Sequence, residues 1–146
     1  MSCAQRRRVV DRAILAARVA TVRYAVERVG AVLPVTEAAF LADRTAREVV
    51  VLNVFVAVQT CLELAAHWVA DEGWDVPPRY PEIFTVLADR GVVPRDLALR
   101  LAAASGFRNL VAHQYGVLDW SRVYAIAASE LGDLETFCAA LAARAG

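Results

Sequence analysis

Residues 49–66 read Val49-Val50-Val51-Leu52-Asn53-Val54-Phe55-Val56-Ala57-Val58-Gln59-Thr60-Cys61-Leu62-Glu63-Leu64-Ala65-Ala66. The first ten are rich in β-branched side chains, a composition that favours a strand. Period-two alternation is absent, however, and the run passes into Gln59–Ala66 with no turn residue, so it reads as the middle of a long helix. That reading removes the best candidate for a sheet and makes the fold all-α. The uncharged part, Val49 to Leu62, is fourteen residues long between Glu48 and Glu63. This is the length of a buried core helix and too short to cross a bilayer, so no membrane segment is expected.

Working outward, residues 5–33 place Val9, Ala13, Ala16, Ala20, Tyr24 and Val29 among Arg and Asp, which predicts a long amphipathic helix ended by Pro34. Thr36 followed by Glu37 has the form of a helix start, and the second helix runs from there to Asp71, with Ala42-Asp43 as the place where it can break. Gly73 and Pro77-Pro78 mark the clearest loop. A short helix near Tyr80–Arg90 stops at Gly91, and Pro94 opens another, interrupted at Gly106 and ended at Gly116. Asp119 caps a last helix that reaches Arg144. The expectation is one domain over residues 1–146, a bundle of about five helices with no internal repeat.

The 146 residues are 58% hydrophobic and 22% charged, which excludes disorder for most of the chain. Sixteen basic and sixteen acidic residues cancel. The cancellation is uneven: nine arginines and five acids give residues 1–60 a balance of +4, while seven arginines and eleven acids give the remainder −4. A polyanion would therefore have to use a local basic surface weighted toward the first half. Every basic residue is Arg, which fits a GC-rich coding bias better than a functional selection. Cys3, Cys61 and Cys138 are odd in number, far apart and outside any metal-ligand spacing, so neither a disulfide framework nor a zinc site is expected. Asp11 and Arg12 interrupt the apolar stretch after Arg6-Arg7-Arg8, so no signal peptide follows. A cytoplasmic protein is the expectation.

The residues with chemistry are concentrated in Arg108-Asn109-Leu110-Val111-Ala112-His113-Gln114-Tyr115. On a helix Phe107, Leu110 and Val111 occupy an arc of about 100° that faces a core, and Arg108, Asn109, His113 and Tyr115 share an opposite arc of about 160°. The plain alternative is a solvated face. The combination nevertheless suits phosphodiester chemistry, because an imidazole titrates near neutral pH and a guanidinium stabilises phosphoryl charge. On the second helix Asn53, Thr60 and His67 are seven apart and Glu63 lies four before His67, a polar line on an apolar helix. A satisfied core network or a dimer seam explains that line at least as well as direct catalysis.

The Arg-Asn-x-x-x-His-x-Tyr pattern at 108–115 resembles the signature of HepT-like proteins, the minimal HEPN-domain toxins encoded beside an MntA-type nucleotidyltransferase antitoxin. Glu63-Leu64-Ala65-Ala66-His67 resembles that family's Asp-Ile-Ala-x-His segment, with Glu where Asp is usual. Pro78-Arg79-Tyr80-Pro81-Glu82-Ile83-Phe84 followed by Leu87, and Asp119, Val123-Tyr124 and Leu131-x-Asp133-Leu134-x-x-Phe137 further on, resemble its later segments. The resemblance runs from about residue 45 to the end and reaches the first helix only through periodicity.

The resemblance implies a HEPN-type bundle that forms a two-fold homodimer and acts as a metal-independent endoribonuclease with no cofactor. Arg108 and His113 would be catalytic, Asn109, Glu63 and His67 would support the site, and Tyr115 would receive AMP from the MntA-type partner. The substrate would be RNA, with its 2′-OH as nucleophile. A reading from another class is a non-catalytic helical subunit that docks on a nucleotidyltransferase, and a third is a structural dimer without site chemistry.

Overall fold

The computed structural model describes the backbone of residues 3–145 and side chains from Arg12 onward; the side chains of Cys3, Arg6, Arg7, Arg8 and Val9 lie outside the described residues. In chain order the helices are α1 (Cys3–Val32), α2 (Glu37–Ala42), α3 (Arg44–Asp71), α4 (Ile83–Asp89), α5 (Arg95–His113), α6 (Trp120–Ser129) and α7 (Gly132–Ala145). Single 3₁₀ turns at Tyr80–Glu82 and Tyr115–Val117 precede α4 and α6. No strand forms among the described residues.

The valine-rich run lies in the middle of α3, and α3 packs against every other α-helix. Val50, Val51, Val54, Ala57, Val58, Cys61 and Leu62 are buried, a spacing of three and four that follows a helix and that no strand would give. β-branched residues lose some side-chain freedom in a helix, a small cost that contact on several sides offsets. The helix is long and apolar enough to cross a membrane by length and composition, but just over half of its apolar window is buried inside the bundle, where α3 packs on α1, α2, α4, α5, α6 and α7. Phe84 of α4 and Phe137 of α7 meet edge-to-face at 5.4 Å beside it.

Local chemistry sets the breaks. Thr36 caps α2 by accepting the Ala39 N–H at 3.1 Å. Asp43 ends α2 and caps α3, its carboxylate accepting the Ala46 N–H at 3.0 Å, so the long second helix does divide at Ala42-Asp43. Two Schellman ends follow: Trp74 N–H bonds Val69 O at 3.0 Å after α3, and Val92 N–H bonds Leu87 O at 2.9 Å after α4. Each needs a left-handed residue, supplied by Gly73 and Gly91, both at φ 74°. Asp119 caps α6 through the Ser121 and Arg122 N–H groups. Tyr124 of α6 donates its hydroxyl to Val35 O at 2.8 Å and so fixes the α1–α2 connection.

The described chain has seven α-helices where about five were expected. Asp43 accounts for one additional helix. The other arises because the final helix divides at Glu130-Leu131, where α6 stops and α7 starts at Gly132. Gly106, expected to interrupt, is inside α5, which runs unbroken because Ser105 and Phe107 on either side are buried. Pro94 stands at the N-cap position, just ahead of the first turn. Cys61 and Cys138 are free and buried. Donation to the Cys138 sulfur, with burial, holds the Cys61 thiol well above its ordinary range, and accepting that bond holds Cys138 below it.

Asp43→Ala is expected to destabilise the protein by about 1 kcal/mol in urea denaturation, the usual cost of a lost N-cap. Phe137→Ala, which opens a hole beside α3, is expected to cost about 3–5 kcal/mol. A smaller effect for Phe137→Ala than for Asp43→Ala would contradict the central placement of α3.

Candidate functional site on helices 3 and 5

Arg108 leaves α5 toward the middle of α3. Its Nε donates to Gln59 Oε1 at 2.5 Å, its Nη1 donates to Asn109 Oδ1 at 3.0 Å, and its guanidinium carbon lies 5.7 Å from the centre of the Phe55 ring. Two hydrogen bonds therefore fix the direction of a guanidinium that is only part-buried and lies over an aromatic ring. Gln59 continues the network: its Nε2 donates to Glu63 Oε1 at 3.3 Å, and the other Glu63 oxygen accepts from Arg18 of α1. One turn further along α3, His67 Nε2 lies 3.0 Å from Asp71 Oδ2.

The expected polar line on α3 is thus redistributed. Glu63 joins the Arg108 network through Gln59, and His67 pairs at the far end of the helix. Asn53 and Thr60 turn back on their own helix, donating to Val49 O at 2.8 Å and Val56 O at 2.7 Å, and among the described residues they join no cross-helix network. Such back-bonds satisfy a polar group beside an apolar interior without a partner from another element.

His113 is exposed at the last residue of α5. Five residues separate it from Arg108, about 7.5 Å along the axis and about 140° around it. Among the described residues no hydrogen bond joins His113 to Arg108, so one chain brings Arg108, Asn109 and Glu63 together and leaves the imidazole apart. Leu110, expected to face the core, is 46% exposed.

Tyr115 departs furthest from expectation. The helix ends before it, at the Gln114 cap and not at Gly116, and the phenol sits in the following 3₁₀ turn. Its ring meets Trp120 edge-on at 5.9 Å, and Trp120 in turn packs on Phe40 and under the Arg47 guanidinium, 5.4 Å from the ring centre. The ring is thereby held on the α6 side while its surface remains 46% exposed.

Phe55, Gln59 and Arg18 were not singled out from the sequence. A signal existed for Gln59, which precedes Glu63 by one helical turn, whereas the seven-residue spacing drew attention to Asn53 and Thr60. Among the described residues no group of three His, Cys, Asp or Glu side chains is placed to hold a metal ion.

The family model described as Ribonuclease HepT-like matches residues 22–141. The chain belongs to that family. The match reaches back to Val22 of α1, further than the motifs alone carried it. An mRNA nuclease HepT from Shewanella oneidensis is 26% identical over 124 residues, covering 85% of this HepT-like chain and 92% of the relative. Two solved structures share the fold. A toxin–antitoxin complex with AMP-PNP superposes with a TM-score of 0.83 at 25% identity, covering 89% of this chain and 98% of the other. A tri-AMPylated Shewanella oneidensis HEPN toxin in complex with its MNT antitoxin gives 0.82 at 25% identity, covering 89% and 97%.

Because Tyr115 is 46% exposed and Phe keeps the ring that meets Trp120, Tyr115→Phe is expected to leave stability unchanged within about 0.5 kcal/mol. Tyr115→Ala should cost about 1 kcal/mol through the lost ring contact. Thermal unfolding of the two variants checks the pair, and equal losses would contradict the packing of the ring on Trp120.

Proposed function

We propose that this chain is a metal-independent endoribonuclease toxin of a toxin–antitoxin system, acting in the cytoplasm on RNA as a homodimer and silenced by an MntA-type nucleotidyltransferase that transfers AMP to Tyr115. The observation that carries the reading is the fixed guanidinium of Arg108 on the same helix as an exposed His113, in a chain of the HepT-like family. The ribose 2′-oxygen attacks the adjacent phosphorus, the bond to the 5′-oxygen breaks, and a 2′,3′-cyclic phosphate and a 5′-hydroxyl result. His113 moves the protons, one from the 2′-hydroxyl and one to the leaving oxygen. Arg108 holds the non-bridging oxygens as their charge grows, and Asn109 keeps the guanidinium in place.

The placement of His113 favours a site completed by a second copy. Leu99, Ala103, Gly106, Leu110 and His113 lie within an arc of about 80° on α5. All five are exposed, Leu99 by 60% and Leu110 by 46%. A Cβ added at Gly106 would meet nothing within 4 Å, so no packing inside the chain calls for the glycine there. Glycine costs about 1 kcal/mol relative to Ala inside a helix, and a second helix approaching this face gives it a use. The same approach would bring the two copies of His113 together, with each Arg108 on the α3 side of its own helix.

Tyr115 suits regulation. Attack of its phenol oxygen on the α-phosphorus of ATP, with pyrophosphate leaving, would put a bulky anion two residues from His113 and beside the substrate phosphate. The solved complex of a tri-AMPylated HEPN toxin with its antitoxin supports this reading by likeness.

Purified protein is expected to cleave RNA in EDTA and leave cyclic phosphate ends, and His113→Ala to abolish cleavage; a requirement for Mg²⁺ would overturn the mechanism. Expression alone should arrest bacterial growth unless Arg108 is changed to Ala. Indifferent growth of cells carrying the unmodified chain would favour the non-catalytic docking subunit. Leu110→Glu should convert a dimer to a monomer by light scattering with helicity retained, and an unchanged dimer would remove this face as the seam.

A further inference from the structure

We infer that Gln59 is a positioning residue that presents Arg108 to phosphate end-on, and that Glu63 and Arg18 hold Gln59 in the orientation this requires. The inference rests on the reading of Arg108 as the phosphate-holding group and concerns how that group is aimed.

A guanidinium has five N–H donors and two ways to grip a phosphate with paired bonds: side-on through Nε and one Nη, or end-on through both Nη groups. In this chain Nε is occupied by Gln59 and one Nη1 proton by Asn109. One proton on Nη1 and two on Nη2 remain. The side-on grip would have to break the Gln59 bond, so the end-on edge is the one left for substrate. The guanidinium carbon lies over the Phe55 ring at 5.7 Å, a neighbour that narrows the space in which the group can turn.

Gln59 performs this task only in one of its two amide orientations. If the amide turned over, its NH₂ would face the Arg108 Nε–H, donor against donor. Glu63 selects against that state, because an ionised carboxylate accepts and never donates. Its Oε1 takes the Gln59 Nε2 proton, and its Oε2 is engaged by Arg18, which fixes the carboxylate itself. Arg18 and Glu63 are 45% and 35% exposed, and an ion pair of that kind adds little to stability, so its effect is directional. Arg18 also lies outside residues 22–141, so its part in the site comes from geometry alone.

The test separates aim from grip. Gln59→Leu is expected to lower kcat for RNA cleavage about tenfold while KM changes by less than about twofold, because the charge of Arg108 persists and only its orientation is lost. Glu63→Ala should reduce kcat in the wild-type background and have no further effect in Gln59→Leu, since it acts through Gln59. The Arg108 Nε–H resonance in a ¹⁵N spectrum, assigned by its loss in Arg108→Lys, should shift and exchange faster with water in Gln59→Leu, while the fall in kcat at nearly constant KM is the readout that a merely structural role would not give. Additive losses for the two substitutions, or an unmoved Nε–H signal, would overturn the relay. If Arg108→Ala itself cleaves RNA normally, the reading of Arg108 fails instead, and the two failures are distinguishable.

Discussion

The packing of α3 against all six other α-helices is the constraint from which the other features follow. A helix that touches six others has little perimeter left for polar groups, and those it does carry must be satisfied locally or at its edges. Asn53 and Thr60 illustrate the first solution, with bonds back to Val49 and Val56. Gln59, Glu63 and His67 illustrate the second, being only part-buried and bonded to side chains. The groove between α3 and α5 is where a half-buried amide can meet a half-buried guanidinium, and the Arg108 network occupies it.

Where a local rule controls the chain, the sequence was enough. Thr36, Asp119, Gly73 and Gly91 each act within one turn of themselves, and each does what its residue type predicts. The β-branched run of α3 could be read as a helix because its continuation carried no turn residue. Gly106 and Leu110 failed for the opposite reason. A glycine's modest helix penalty was outweighed by neighbours buried in the core, and the wheel assumed that the apolar face of α5 was covered in full. The division at Glu130-Leu131 is followed at once by Gly132, a mark that the reading of one continuous helix passed over.

The site divides along the same line. Arg108, Asn109, His113 and Tyr115 are close in sequence and were legible as a motif. What orients Arg108 was not, because Gln59 is 49 residues away and Arg18 comes from yet another helix. Contacts of that kind depend on how α1, α3 and α5 pack, for which a single sequence holds no spacing rule. Tyr115 was placed on the helix face by its spacing, whereas the chain leaves the helix at the Gln114 cap and the ring packs on Trp120.

The neutral charge of the chain also acquires a structural meaning. Arg18, Arg44, Arg95, Arg100 and Arg122 face carboxylates, so much of their field is cancelled close to its source. Arg108 is bonded to two neutral amides and lies by an aromatic ring, which fixes its direction, and among the described residues no carboxylate pairs with it. Gln59 stands between it and the Glu63 carboxylate. Had Glu63 reached Arg108 directly, the pair would have been better bonded and less attractive to a phosphate. An amide inserted between acid and base transmits orientation without transmitting neutralisation, and under the proposed function that is how a molecule with no net charge would direct a positive group at a polyanion.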